Sequence, residues 1–223
     1  MASSGTTAFN INLLSIIEEA YEMVGVEVRN GYDLKTARRS LDLLMREWGN
    51  RGINFWTIKE TSLPVAANTN VFTLDSDTID ILDCVWRQFD VDGMIQDRSM
   101  TRMGLDEWVS IANKQQVSLP SRFYVNRVVP PVVTIWPVST ADGFFVYWKM
   151  RSIEDTGAYT NTMDIPPRFL PAMTCGLAYY LGIKTPSAMD RVPFLQQEYE
   201  RQFGLAAGED RERASLYLVP DMS

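Results

Sequence analysis

The hydrophobic period of this chain changes twice, and that change bounds the fold. Apolar residues recur at helical spacing up to about residue 55, alternate from residue 56, and return to helical spacing after about residue 159. A chain that is helical at both ends and stranded in the middle closes its helical core by bringing its ends together. The expected class is α+β: a helical bundle formed by N- and C-terminal helices, with an inserted antiparallel β-domain and an extended C-terminal tail. The divisions are 1–55 for an N-terminal helical hairpin, 56–158 for the β-domain with a short helix near 103–114, 159–213 for the C-terminal helices, and 214–223 for the tail.

In the first segment Leu13, Leu14, Ile16, Ile17, Ala20, Tyr21 and Val24 form one stripe, with Glu18, Glu19 and Glu22 between them. Asn10 or Asn12 is placed to cap this helix and Gly25 to end it. After an Asn30-Gly31 turn, Asp33 reads as the cap of a second helix with the stripe Leu34, Ala37, Leu41, Leu44, Met45 and Trp48. Its other face carries Lys35, Arg38, Arg39, Asp42 and Arg46. Two helices joined so closely predict an antiparallel hairpin.

The middle segment predicts short strands at 56–61, 71–74, 78–88, 94–98, 122–127, 132–136 and 143–153, with a loop from Pro64 to Asn70. Asp90-Val91-Asp92-Gly93 is a hairpin signal. Met103–Lys114 reads as a helix with Leu105, Trp108, Val109 and Ala112 on one side. The strand from Gly143 is apolar on both faces, as a central strand is. Helical spacing resumes at Asp164-Ile165-Pro166-Pro167 with Phe169, Leu170, Met173, Leu177, Tyr180 and Leu181. A last helix runs from Asp190 to about Arg213 with Phe194, Leu195, Tyr199, Gln202 and Phe203.

Composition narrows the chemistry. There is no histidine, which removes His-based triads and most zinc sites. Glycine-rich phosphate loops and nucleophile-elbow motifs are absent, and no catalytic residue, cofactor or metal is expected. The acidic run Asp75, Asp77, Asp80, Asp83, Asp90 and Asp92 begins like a calcium loop, but Ile79 and Asp80 stand where an oxygen ligand and a glycine are needed. Cys84 and Cys175 read as free, buried thiols, although sequence alone leaves a disulfide open. Neither a signal peptide nor a membrane span is expected.

The net charge is −7, and no segment is basic: residues 1–55 hold six basic and seven acidic side chains, 56–158 nine and thirteen, 159–223 six and eight. Coating nucleic acid is therefore disfavoured. The Lys35, Arg38, Arg39 and Arg46 group reads as a solvated or inter-subunit face. Trp48, Trp86 and Trp108 follow the core period. Phe145 and Tyr147 share a strand face with Lys149 and Arg151, an aromatic-plus-cation mixture that suits a subunit or tail interface, and Arg38 and Arg39 join them as interface candidates.

Several stretches occur in a telling order: Val24-Gly25-Val26, LLMREWGNRGINFW, LPVAANTNVFTL, MTRMGLDEWVSIANK, LPSRFYVNRVVPPVVTIWPV and DIPPRFLPAMTCGLAYYLGIK. This collinear set resembles the head-to-tail adaptors of short-tailed bacteriophages, also called packaged-DNA stabilisation or tail tubular protein A-like proteins. The resemblance implies a structural virion protein of the neck, assembled in the host cytoplasm as a dodecameric ring below the portal protein. Such a ring extends the channel for double-stranded DNA and carries the tail nozzle or tail fibre proteins. It also implies that the C-terminal segment reaches the portal, with Leu216, Tyr217, Leu218, Val219 and Pro220 as the docking residues. An acidic balance suits a channel wall that lets DNA pass. The competing readings are a stopper or tail-completion neck protein and, more remotely, a glycan-binding or glycan-cleaving module.

Overall fold

The computed structural model describes residues 11–27, 31–52, 55–89 and 92–209. In chain order they form α1 (Leu13–Val24), α2 (Gly31–Asn50), β1 (Ile58–Val65), β2 (Val71–Thr73), β3 (Thr78–Phe89), β4 (Ile95–Ser99), β5 (Thr101–Met103), α3 (Leu105–Ser110), β6 (Arg122–Asn126), β7 (Val132–Trp136), β8 (Gly143–Arg151), α4 (Leu170–Lys184) and α5 (Val192–Glu209). The chain makes two compact units: a helical one from both ends, Met1–Phe55 with Ile153–Ser223, and a β unit, Trp56–Ser152. The α+β class with flanking helices is as expected.

In the helical unit, the Asn12 side chain accepts the Ser15 amide at 2.9 Å and so caps α1. Gly25 ends it in the left-handed region at φ 86°, where glycine avoids the Cβ clash. The α1 stripe is buried as read, except for exposed Leu14. Helix α2 begins at Gly31 rather than after Asp33, which sits in its first turn. The expected α1–α2 hairpin is not the main packing. Helix α4 packs against α1, α2 and α5, while α1 and α2 barely meet. The sequence of α4 explains this. Buried Ala172, Cys175, Gly176, Ala178 and Gly182 lie around much of its circumference, so other helices approach from several sides. At Gly176 a Cβ would lie 2.9 Å from both Leu44 and Tyr199.

The β unit is two four-stranded sheets, ordered β1-β8-β3-β4 and β2-β7-β6-β5, sharing one core that includes Ile81, Trp86, Phe123, Ile135 and Phe145. Strand β8 is central, as its doubly apolar pattern predicted, and pairs with β1 from Ile58↔Met150 to Val65↔Gly143. Strand β1 runs on through Pro64, where a loop was expected; it is an edge strand, where a missing N–H is tolerated. One sheet is mixed rather than antiparallel, because β5 pairs parallel with β6. The expected boundary at 158 lies inside the helical unit: Thr156 donates its N–H and hydroxyl to Asp42 on α2 at 3.3 and 3.0 Å. Helix α3 is shorter than read and buries nothing. Leu105 and Val109 are exposed, and half-buried Trp108 stacks on Tyr124 at 6.0 Å rather than entering a core.

Candidate assembly surface

The β8 residues proposed for an interface face inward. Phe145 and Tyr147 are fully buried and stack at 5.2 Å, with Phe72 and Phe123 against Phe145. The aromatic-plus-cation pattern on this strand is therefore a core pattern. Alternation shows that residues share a face without showing which way the face points. Lys149 is buried on that same face, and Arg151, at the strand end, is half-buried.

The Lys149 ammonium donates to Asp75 Oδ2 at 2.7 Å and to Asp77 Oδ1 at 2.6 Å. The first two aspartates of the acidic run thus clasp the β2–β3 turn onto β8. Burial works against the charged amine, but the two carboxylates hold its proton affinity above that of a free lysine. Asp80 accepts from Arg102 at 2.8 Å, from Arg127 and from the Ile81 amide at 2.9 Å. Its burial opposes ionisation, yet these donors keep its carboxyl below the usual range. Asp83 accepts its neighbour's amide, Cys84 N–H, at 2.8 Å. Asp90 lies outside the described residues. No cluster of metal-ligating side chains occurs among the described residues.

The helical unit carries the other candidates. Helix α2 turns its buried stripe to α4 and α5, so its outward positions are Tyr32, Lys35, Arg39, Leu43 and Arg46, all exposed. They follow one another at three- or four-residue steps and form a continuous ridge. Two clefts flank it. One, of about 640 Å³, is lined by Tyr32, Lys35, Arg38, Arg39, Asp42 and Tyr159. The second, of about 760 Å³, shares Tyr32 and Arg39 and adds Leu43 and Lys184 among others. Arg38 is half-buried and donates to Thr156 Oγ1 at 3.2 Å, so it braces the segment after β8. Arg39 is exposed on the ridge and enters no ion pair among the described residues. Lys184 donates to Ser40 Oγ at 2.7 Å; burial and the charge of Arg39 hold its pKa below the ordinary lysine value.

Behind the ridge, α2 is locked in place. Trp48 is fully buried and its indole N–H donates to Tyr199 Oη at 2.9 Å. The Arg51 guanidinium makes a fork on Glu200 at 2.8 and 2.7 Å, bonds Glu47, and lies 4.4 Å over the Phe203 ring. The Tyr180 hydroxyl donates to Glu47 at 2.8 Å, and burial together with that carboxylate pushes its pKa up to about 12. These contacts fix the angle at which the ridge is presented. Sequence reading found the ridge cations but missed Tyr32 and Leu43, whose signal was their three-to-four spacing with Lys35 and Arg39 on the polar side of α2.

The tail residues Leu216, Tyr217, Leu218, Val219 and Pro220 lie outside the described residues. No helix of the described residues is long and apolar enough to cross a membrane. Among curated proteins no relative matches the chain. A family model described as SU10 adaptor protein matches residues 12–220, running through both the helical and the β unit. The chain belongs to the SU10 adaptor protein family, structural adaptor proteins of bacteriophages.

Proposed function

We propose that this chain is a head-to-tail adaptor that forms a ring below the portal, extends the channel for packaged double-stranded DNA and offers the tail nozzle or fibres their attachment site. The observation that carries this reading is the family match across both units. The structural role also agrees with how the charged residues are spent: Lys149, Asp80 and Arg51 all serve internal pairs that stiffen the fold. The apolar run Leu216–Val219 is the portal-docking element, engaging its partner by strand addition or by filling a groove. The net charge of −7 lets DNA slide past the ring, since a basic lining would retain it.

Mixing the purified chain with portal rings of the same phage, followed by negative-stain microscopy, tests the reading. A second ring stacked on the portal is expected. Binding to a tail protein but not to the portal would instead favour a stopper or tail-completion role. Deleting residues 214–223 is expected to abolish portal binding while leaving the circular dichroism spectrum intact, and full binding by that truncation refutes the docking role.

A further inference from the structure

A closed ring is built from heterologous contacts, so each subunit needs two different surfaces that fit one another. The helical unit carries such a pair. On α1, opposite its buried stripe, Leu14, Glu18 and Glu22 are exposed at four-residue steps. On α2, opposite its own buried stripe, Lys35, Arg39 and Leu43 are exposed at the same steps. Both sets advance by about 6 Å per step. Read in opposite directions, the two rows match term for term: acid on base, acid on base, leucine on leucine. Glu18, Glu22, Lys35 and Arg39 enter no ion pair among the described residues, whereas Arg51, Arg87, Arg102 and Lys149 all do. Lys184 stands close enough to Arg39 to feel its charge, which adds to the positive potential of the cleft beside the ridge. The ridge also mixes Tyr32 and Leu43 with arginines, the composition that interface centres favour. A ridge flanked by two clefts is the shape that receives the four-residue rows of another helix.

We propose that neighbouring copies of this chain meet through α1 of one copy lying antiparallel on α2 of the next, with Glu22 against Lys35, Glu18 against Arg39 and Leu14 against Leu43. The proposal rests on the ring reading above and names the contact that closes the ring. It also gives the outward basic row on α2 a partner: each contact consumes two cations and two carboxylates, so the net charge left on the free surfaces is unchanged.

The test is a charge swap. One variant carries Glu18→Lys and Glu22→Lys; a second carries Lys35→Glu and Arg39→Glu. All four side chains are exposed, so thermal melts of both variants should lie near that of the wild-type chain. Each variant alone then presents like charges at every contact and is expected to give at least about tenfold fewer rings on purified portal. The equimolar mixture restores opposite charges at every contact and is expected to recover rings in which the two variants alternate, visible by native mass spectrometry. Rings from either variant alone at wild-type yield, or no recovery in the mixture, overturn the α1–α2 contact while wild-type rings uphold the ring reading. Absence of rings from the wild-type chain overturns the ring reading, and this contact with it.

Discussion

Replacing Asp75 and Asp77 together by asparagine is expected to destabilise the β unit far more than replacing the lysine they hold. The Lys149 side chain is 3% exposed, while Asp75 and Asp77 are 63% and 43% exposed. Removing both carboxylates leaves an almost fully buried ammonium with no opposing charge. Stranding a buried charge costs about 3–5 kcal/mol; the asparagine oxygens still accept hydrogen bonds, so about 2–4 kcal/mol is expected here. Lys149→Met removes the buried charge and keeps the apolar stem, and the two aspartates remain hydrated, so about 0–1 kcal/mol is expected. Urea unfolding followed by tryptophan fluorescence measures both, with hydrogen exchange of β8 peptides assigning the change to the β unit. At about 1–2 kcal/mol per molar urea, the double asparagine variant should lose roughly 1–4 M in midpoint and Lys149→Met at most about 1 M. Each single asparagine variant leaves one carboxylate in place and should cost less than half of the double change. A Lys149→Met variant as damaged as the double variant would refute the reasoning, because it would mean that the pair is worth more than the isolated ammonium costs.

Other outcomes follow from the packing and the titrating groups. Gly176→Val, whose Cβ alone lies 2.9 Å from Leu44 and Tyr199 atoms, should cost about 1–3 kcal/mol in a thermal melt, while a substitution at Gly204, with open space around it, should cost less than half as much. Trp48→Ala, which empties a fully buried site and removes the indole N–H from the Tyr199 hydroxyl while that hydroxyl keeps its bond to Glu47, should cost about 3–5 kcal/mol by urea titration. Asp80 is held below its ordinary value of 3.8 in the folded state, so its contribution is complete above that value and fades as pH falls through the lower folded one. Asp80→Asn should therefore lower stability at pH 7 and flatten the acid limb of the stability profile; a limb of unchanged slope would count against this. Burial pushes the Cys84 and Cys175 thiols up, so a thiol reagent at pH 8 should label neither in the native chain and both in urea.

Periodicity by itself determined the class, the order of elements and most of the core. The α1 stripe, the α2 stripe and the central position of β8 were all legible, because burial on one side of a helix, or on both sides of a strand, imposes a spacing that composition records locally. Caps and turns such as Asn12 and Gly25 were legible for the same reason: their backbone demands act within four residues. What periodicity leaves open is the partner of each face. The rows on α1 and α2 showed that these helices bury something, yet it was the small residues all around α4 that made that helix, rather than a hairpin, the thing buried against. On β8, Phe145, Tyr147 and Lys149 shared a face in either case, and only the packing of the second sheet made that face the interior. The same folding step brought Lys149 to Asp75 and Asp77, more than seventy residues away in sequence, and made two turn carboxylates partners in an internal ion pair. Contacts of that range depend on which elements meet across the core, and no local pattern encodes that choice.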